Sequence, residues 1–293
     1  MTDYAVLFRE LAVPRLVGTA NHQRVREVLK RELAARGFAI EEHRFSGAPA
    51  RALIGTPPLV QGTNLIAQRP SGRPTVRPSV WLVAHYDSKG QPISMAVRLI
   101  GFLALAVSLL GLLLAPIPAI ALLLIAVAIV SQNRVNDDSP GAVDNASALV
   151  AIFMTIDQLP ATTAVAVIFS DAEEFGLVGA RALATDRTEL FADAAVINLD
   201  GLDDVGQPIA LVHRPGPMGI AIATPLQARR WRWLPVVVDG IALARVSREC
   251  VTILKGNWRT MRVVHRPSDN VDRVRLDGAA SVAAGLARVL RAP

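Results

Sequence analysis

Five short motifs in this chain combine histidine with carboxylate side chains and could bind metal ions together. In chain order they are His85-Tyr86-Asp87, Asp144-Asn145, Asp171-Ala172-Glu173-Glu174, Asn198-Leu199-Asp200 and His265-Arg266-Pro267-Ser268-Asp269. Two histidines and three carboxylates form a ligand set that suits Zn and, less exclusively, Co or Mn. Two cations that share one carboxylate and one water hold that water as hydroxide near neutral pH. The motifs therefore predict a two-metal hydrolytic site.

Two of the motifs also suggest roles beside metal binding. Strand alternation places Asp87 behind His85, where a carboxylate fixes the imidazole tautomer and raises its basicity as a ligand. The pair Glu173-Glu174 offers one metal ligand and one general base at adjacent positions. Each motif alone also has an ordinary structural interpretation. Asp144-Asn145 could cap a helix, Glu173-Glu174 could only favour a helix N-terminus, and His265 could be solvated.

Taken in order, the motifs resemble those of the co-catalytic dizinc aminopeptidases, peptidase family M28. The resemblance covers a His-x-Asp after a strand, Asp-Asn-Ala-Ser, Glu-Glu before Gly-Leu-x-Gly, Asn-Leu-Asp and a late His before Ser-Asp. It implies two zinc ions and an aminopeptidase activity. By this resemblance Glu173 is the general base, Asp87 orients His85, and Asp144 bridges the two ions. One ion is held by His85 and Asp200, and the other by Glu174 and His265.

Three departures from the family pattern stand out. Ala148 replaces the usual glycine after Asp-Asn-Ala-Ser, and Ser247-Arg248-Glu249 stands where a Ser-Asp-His-like element is usual. The second departure concerns the substrate pocket, so substrate specificity stays open. The largest departure is the long gap between His85 and Asp144, which the family joins by a short loop.

Short apolar runs alternate with helical patterns along the chain and predict an α/β fold. We expect a mixed, largely parallel central sheet flanked by helices, as in zinc aminopeptidases, with an inserted transmembrane helical hairpin. Three runs, Val80–Ala84, Thr163–Phe169 and Ala194–Leu199, have the composition of buried strands. Polar residues of the motifs follow each run, and ligands gather beyond the carboxyl ends of strands in such sheets. Helices are predicted at Arg24–Arg36, Asn145–Leu159, Gly176–Ala184 and Asp277–Leu290.

The gap between His85 and Asp144 holds a segment without charge, residues 99–130. About 20 apolar residues suffice to span a bilayer, and Pro116 and Pro118 divide this segment near its middle. Because both halves of one metal site must lie on the same side of a membrane, two crossings or a re-entrant dip are expected, with a turn at Ala-Pro-Ile-Pro. The alternative is a buried core hairpin. The expected domains are peptidase residues 1–92 and 136–293, interrupted by the hairpin at 93–135.

Charge and cysteine content limit the location and the partners. The formal net charge is +6 and there is one cysteine, Cys250, so an internal disulfide and a thiolate metal cluster are excluded. Lys89, Arg98 and Arg134 flank the base of the hairpin, which predicts a bacterial inner or plasma membrane protein with a cytoplasmic peptidase domain. Residues 1–15 lack the apolar core of a signal peptide. The sequence has no basic stripe interleaved with aromatic residues, so nothing in it indicates nucleic-acid binding.

The sequence therefore predicts a membrane-anchored zinc aminopeptidase, with peptide substrates and with the bilayer as partner of residues 99–130. A metal-bridging hydroxide would attack the peptide carbonyl, and Glu173 would transfer the proton. Three alternatives stay open: a carboxypeptidase or another amide hydrolase, a glutaminyl cyclase, and a non-catalytic receptor-like protein. The side-chain preference, the metal bound in the cell and the oligomeric state are not encoded in any motif.

Overall fold

The computed structural model describes residues 2–50, 53–69 and 78–291 of the chain. Eight strands form one mixed sheet in the order β1-β2-β4-β3-β5-β8-β6-β7. Their bounds are β1 Ala39–Gly47, β2 Val60–Gln68, β3 Val80–His85, β4 Val165–Ser170, β5 Ala195–Leu202, β6 Gln207–Arg214, β7 Arg229–Trp231 and β8 Glu249–Gly256. The strands β4, β3, β5 and β8 run parallel at its centre, whereas β1, β2 and β6 pair antiparallel to their inner neighbours. The predicted α/β fold with a mixed, mostly parallel sheet is confirmed.

Ten α-helices surround this sheet in the described part of the chain. They are α1 Tyr4–Leu11, α2 Ala20–Ala35, α3 Met95–Gly111, α4 Pro116–Val130, α5 Ser147–Gln158, α6 Val178–Asp186, α7 Pro217–Ala223, α8 Gly240–Leu243, α9 Thr260–Val263 and α10 Asp277–Leu290. α2 begins four residues before its predicted start, because the Thr19 side chain accepts the His22 N–H and caps the helix there. α10 has its predicted bounds.

The sheet is buried on both faces, and alternate residues of β3 show this. Val80, Leu82 and Ala84 join a large apolar core that includes α1, α2, α5 and α10. Trp81 and Val83 face a second core with α6 and α8. Burial on both faces explains why the central strands are nearly continuous apolar runs. In β3 and β4 the polar residues, His85 and Ser170, stand at the last position of the strand.

The segment 99–130 forms a helical hairpin, α3 followed by α4, as predicted. Ser94 caps α3 by accepting the Val97 N–H. Pro116 and Pro118 lie in the first turn of α4 and not in the connection, since a helix tolerates proline where its N–H has no partner. The connection is therefore Leu112–Ala115, three residues earlier in the chain than the expected turn at Ala-Pro-Ile-Pro.

The prediction that this hairpin crosses a membrane is wrong. None of the helices in the described ranges is both long enough and apolar enough to cross one. α3 has 17 residues and α4 has 15, which corresponds to about 25 Å and 22 Å of helix against a hydrocarbon core of about 30 Å. The physical reason is the Leu112–Ala115 connection, which divides the apolar run into two short helices.

The base of the hairpin is fastened to the peptidase fold. Single bridges pair Ile54 with Arg134 and Gly90 with Asn136. The Ile54 N–H donates to the Asn133 carbonyl at 2.9 Å. Both ends of the insertion therefore return to the same edge of the fold, which satisfies the requirement that His85 and Asp144 meet.

Candidate metal centre

Three parallel strands carry polar residues to one edge of the sheet. His85 is the last residue of β3, and Asp171 directly follows β4. Asp200 lies inside β5, beside an irregularity in its pairing with β8 between Leu199 and Leu202, and not after the strand as the sequence suggested. Loops supply Asp144 and His265 from elsewhere in the chain.

One group of three side chains consists of His85, Asp144 and Asp200. Their ligand atoms all lie within 4.8 Å of one another, and all three residues are buried. His85 Nε2 is 3.1 Å from Asp144 Oδ1 and 3.9 Å from Asp200 Oδ1. We call this group the His85 cluster.

A second group consists of Asp144, Glu174 and His265 and is equally compact and buried. His265 Nε2 is 3.1 Å from Asp144 Oδ2 and 3.0 Å from Glu174 Oε2. We call this group the His265 cluster. Asp144 belongs to both clusters and turns one carboxylate oxygen to each. That is the geometry of a carboxylate that bridges two cations.

The donor set fits a pair of divalent cations. Each cluster offers one imidazole nitrogen and two carboxylates, which are ordinary zinc ligands. Within the described ranges, Glu174 Oε1 and Asp200 Oδ2 are buried and have no hydrogen-bond partner. Buried carboxylate oxygens without a partner are costly, and a cation bound in each cluster would compensate them. Two buried His/Asp/Glu clusters of this kind are consistent with metal sites.

Asp87 lies behind the His85 cluster. Its carboxylate accepts the Glu173 and Glu174 N–H groups, each at 3.1 Å. Asp87 Oδ1 is also 3.4 Å from His85 Nδ1, and the Asp87 carbonyl is 3.2 Å from the same nitrogen. One buried carboxylate thus holds both the imidazole and the turn that carries the paired glutamates.

Hydrogen bonds from distant residues position Asp144. Asp269 accepts the Val143 N–H at 2.7 Å and the Asp144 N–H at 3.2 Å. Asn145 donates to the Leu199 carbonyl and accepts the Gly201 N–H, which ties this loop to β5. The peptide bond between Asp144 and Asn145 is cis. These contacts restrict the bridging carboxylate to one place.

The clusters strongly perturb the acidity of their members. Burial alone would raise the pKa of Asp144, but hydrogen bonds from His265 and His85 outweigh it and hold that pKa well below its usual range. Burial likewise opposes ionisation of Glu174, yet the charges of His265 and Lys89 bring its pKa to about 2. Burial raises the pKa of Asp200 to about 6. Asp144 and Glu174 are therefore ionised and ready to bind cations at neutral pH.

Glu173 is the acid of the pair that belongs to neither cluster. It is buried, and that burial, together with the nearby charges of Glu174 and Asp200, raises its pKa well above the usual range despite the opposing charge of His85. A carboxylate with a raised pKa beside a hydrolytic site suits the acceptance and return of a proton.

Sequence reasoning missed three residues at this edge. Asp239, the residue before α8, is buried and accepts the Ser170 hydroxyl, and burial raises its pKa to about 7. Lys89 Nζ is 2.8 Å from Glu174 Oε2, and Arg98 Nη2 is 2.6 Å from His265 Nδ1. Lys89 and Arg98 were visible only as charges flanking the hairpin, whereas Asp239 directly follows the apolar residues Val236-Val237-Val238, a signal that could have found it.

The expected pocket element Ser247-Arg248-Glu249 lies elsewhere. Glu249 begins β8 and pairs with Ala195, at the end of the sheet opposite His85. Its carboxylate accepts the Met218 N–H at 2.8 Å. The expectation that this element shapes the pocket is wrong, because the register of β8 places it away from both clusters. Asp239 lies near the His85 cluster instead, because its carboxyl interacts electrostatically with His85 and Asp200.

Fold and site together define a metallohydrolase-like α/β protein with two buried, linked ligand clusters at the carboxyl edge of its sheet. The sequence model of Peptidase family M28 matches residues 64–223, more than half of the chain. The chain therefore belongs to Peptidase family M28 and is an enzyme of this metallo-exopeptidase family. A search of curated protein sequences finds no match.

Solved structures with the same fold include both exopeptidases and cyclases. A Zn-dependent exopeptidase from Parabacteroides distasonis is 17% identical with a TM-score of 0.67, covering 99% of this chain and 97% of that one. Glutaminyl cyclase from Bacteroides thetaiotaomicron, bound to N-acetylhistamine, also has 17% identity and a TM-score of 0.67, with coverages of 99% and 96%. BSAP, a zinc aminopeptidase from Bacillus subtilis, has 12% identity and a TM-score of 0.65, with coverages of 97% and 93%. At these identities the likeness shows the fold alone.

Proposed function

We propose that the protein is a zinc-dependent aminopeptidase that hydrolyses the first peptide bond of short peptides. The observation that carries the proposal is Asp144, which turns one oxygen to His85 and the other to His265. In this assignment His85, Asp144 and Asp200 hold one cation, and Asp144, Glu174 and His265 hold the other. Cobalt and manganese are candidate substitutes for zinc. Bound in these clusters, the two cations would polarise the peptide carbonyl and lower the pKa of a water molecule.

Protein side chains would then transfer the proton from the water to the leaving amine. Glu173 accepts a proton from the attacking water and returns it to the nitrogen of the leaving amine. Its carboxylate is held at the site because Asp87 accepts the Glu173 N–H. Asp87 also orients His85 through Nδ1. The buried carboxylates that this assignment leaves without a cation, Glu173 and Asp239, favour a positively charged substrate end, which a free α-amine provides.

The test is peptide hydrolysis by metal-loaded protein with a matched pair of variants. Glu173→Gln should lose at least about 100-fold in kcat, as expected for loss of a general base, and should retain both metal equivalents. The control is Glu27→Gln, because Glu27 is an exposed acid on α2 and its loss should not change kcat. Full activity of Glu173→Gln would overturn the assignment of the base.

Two other reactions on this scaffold are distinguished by blocked peptides. An aminopeptidase should not cleave an N-acetylated peptide and should cleave a C-terminally amidated one, whereas a carboxypeptidase should show the reverse. The cationic residues Lys89 and Arg98 beside the His265 cluster favour carboxypeptidase action as the second candidate, because they could receive a substrate carboxylate. Release of ammonia from an N-terminal glutamine peptide, without hydrolysis, would instead indicate a cyclase.

We further propose that the hairpin attaches the enzyme to a lipid surface without crossing it. Its exposed apolar side chains include Leu113 at 87%, Leu114 at 89% and Ile117 at 83% exposure, all at its tip. Contiguous exposed apolar surface of this extent marks an interaction site. Between the helices, Gly101 packs against Ile129, so close packing is achieved with a small residue, as in membrane helix pairs.

The base of the hairpin favours lipid over a protein partner. Arg262 lies on α9, which contacts α3, and its guanidinium stacks 5.0 Å above the exposed Trp258 ring. Arg134 at the other end is also exposed. Tryptophan and arginine near the base of an exposed apolar hairpin match the interfacial zone of an anionic bilayer. We therefore propose that the enzyme is located at the cytoplasmic side of a bacterial plasma membrane.

Co-sedimentation with vesicles tests this attachment. Full-length protein should bind vesicles of anionic phospholipid, and the double variant Leu113→Asp with Leu114→Asp should lose at least about 100-fold in affinity, because two side chains worth about 2 kcal/mol each no longer bury. The matched control is Leu59→Asp with Val237→Asp, at two exposed apolar sites outside the hairpin. Absence of vesicle binding, or hairpin-mediated dimers instead, would contradict the proposal.

A further inference from the structure

The first helix of the hairpin contacts a proposed metal ligand directly. Arg98, in the first turn of α3, places Nη2 2.6 Å from His265 Nδ1. Its Nη1 is 3.4 Å from Asn133 Oδ1, at the other end of the hairpin. His265 is 167 residues further along the chain than Arg98. The inserted segment and the His265 cluster therefore share one hydrogen-bonded group.

The two histidines of the site have opposite partners. His85 Nδ1 faces the Asp87 carbonyl at 3.2 Å and the Asp87 carboxylate at 3.4 Å, and acceptors in that position strengthen a histidine ligand. His265 Nδ1 faces a guanidinium, which has donors only. With a donor at Nδ1, the neutral ring carries its proton on Nε2, so a cation can bind Nε2 only when that proton leaves and the Arg98 contact is broken. His265 is thus the weaker ligand of the two.

A second cation acts on the same cluster. Lys89 Nζ is 2.8 Å from Glu174 Oε2, the oxygen that also lies 3.0 Å from His265 Nε2. The ammonium is held in place because it also donates to the Glu174 carbonyl at 3.1 Å. A divalent cation at the His265 cluster must approach two positive charges. In the described part of the chain, Asp200, the carboxylate that belongs to the His85 cluster alone, forms no ion pair with a lysine or arginine.

We propose that Arg98 is a positioning residue that lowers the affinity of the His265 cluster for its metal and couples this cluster to the hairpin. The inference rests on the proposed function, in which both clusters hold metal. The His85 cluster fills first and the His265 cluster second. Because such coupling is reciprocal, metal bound at the His265 cluster weakens the Arg98 contact, and displacement of α3 changes the affinity of that cluster.

The experiment is a zinc titration of metal-free, full-length protein against a competing chelator, with cobalt absorption spectra as a second readout. Wild type should bind two equivalents in two resolved steps. Arg98→Gln should raise the zinc affinity of the second step about 10-fold, because hydrogen-bond partners of metal ligands change metal affinity on that scale. It should leave the zinc affinity of the first step within about twofold of wild type. Arg98→Lys retains the charge and should keep the wild-type steps. Arg134→Gln, which removes an exposed charge at the other end of the hairpin, is the control.

The outcomes separate this inference from the proposed function. If Arg98 only stabilises the fold, Arg98→Gln lowers the melting temperature and leaves the second step unchanged or weaker, which overturns the inference. Should that variant fail to fold, the wild-type titration still decides, because two steps of equal affinity contradict the asymmetry. Failure of wild type to bind any divalent metal overturns the proposed function itself.

Discussion

Replacement of Asp87 by asparagine tests how this family member holds its site together. The carboxylate accepts two backbone N–H groups, of Glu173 and Glu174, with its two oxygens. Asparagine has one acceptor oxygen, so its amide NH₂ must face one of these donors. A buried donor without an acceptor costs about 1–3 kcal/mol. The same change removes the negative charge behind His85 Nδ1, and such partners are worth about 10–100-fold in metal affinity.

We therefore expect Asp87→Asn to lose about 1–3 kcal/mol of stability and about 10–100-fold in affinity for the metal of the His85 cluster. Urea unfolding of the metal-free protein measures the first quantity, and zinc competition with a chelator measures the second. Asp186→Asn, at an exposed acid that contacts His43, is the control and should change neither. An Asp87→Asn protein with wild-type stability and wild-type zinc affinity would refute the role given to this carboxylate.

Three further predictions follow from other contacts. Asp144→Ala should abolish binding of both metal equivalents, whereas His265→Ala should abolish one, and elemental analysis of dialysed protein measures this difference. Phe153→Ala should cost about 3–5 kcal/mol of unfolding free energy by denaturant titration, because the ring is fully buried and packs 5.5 Å from Phe169; a loss below 1 kcal/mol would contradict that packing. Burial lowers the pKa of His213 to about 4, so the unfolded chain binds a proton that the folded protein does not. His213 alone should cost metal-free protein ~2 kcal/mol, discounted for partial exposure, as the pH falls from about 6.5 to 4. The measurement is the change in the stability difference between wild type and His213→Gln, because that difference cancels the opposite effect of the carboxyls with raised pKa values.

Much of the fold was predictable because the sheet is buried on both faces. Val80, Leu82 and their neighbours in β3 have to be apolar, which makes each central strand visible as an apolar run. The convergence of His85, Glu174 and Asp200 followed from the rule that parallel strands end at one edge. The helical hairpin was also predictable, from its lack of charge and its two prolines.

What the sequence did not reveal depends on contacts between distant segments. Arg98 and His265 meet across 167 residues, and no periodicity or motif relates them. Asp239 follows a short apolar run at 234–238 that forms no strand, and its burial depends on how α8 packs beside β5 and β8. The position of the hairpin turn was misjudged for a local reason, because Pro116 and Pro118 begin α4 and the connection lies before them at Leu112–Ala115.

The most direct test of a two-cation site that shares Asp144 is anomalous diffraction from crystals grown with zinc. We predict two peaks, one among His85, Asp144 and Asp200 and the other among Asp144, Glu174 and His265, with Asp144 bound to both ions. A single zinc ion at saturating metal, or zinc bound away from these side chains, would contradict the account.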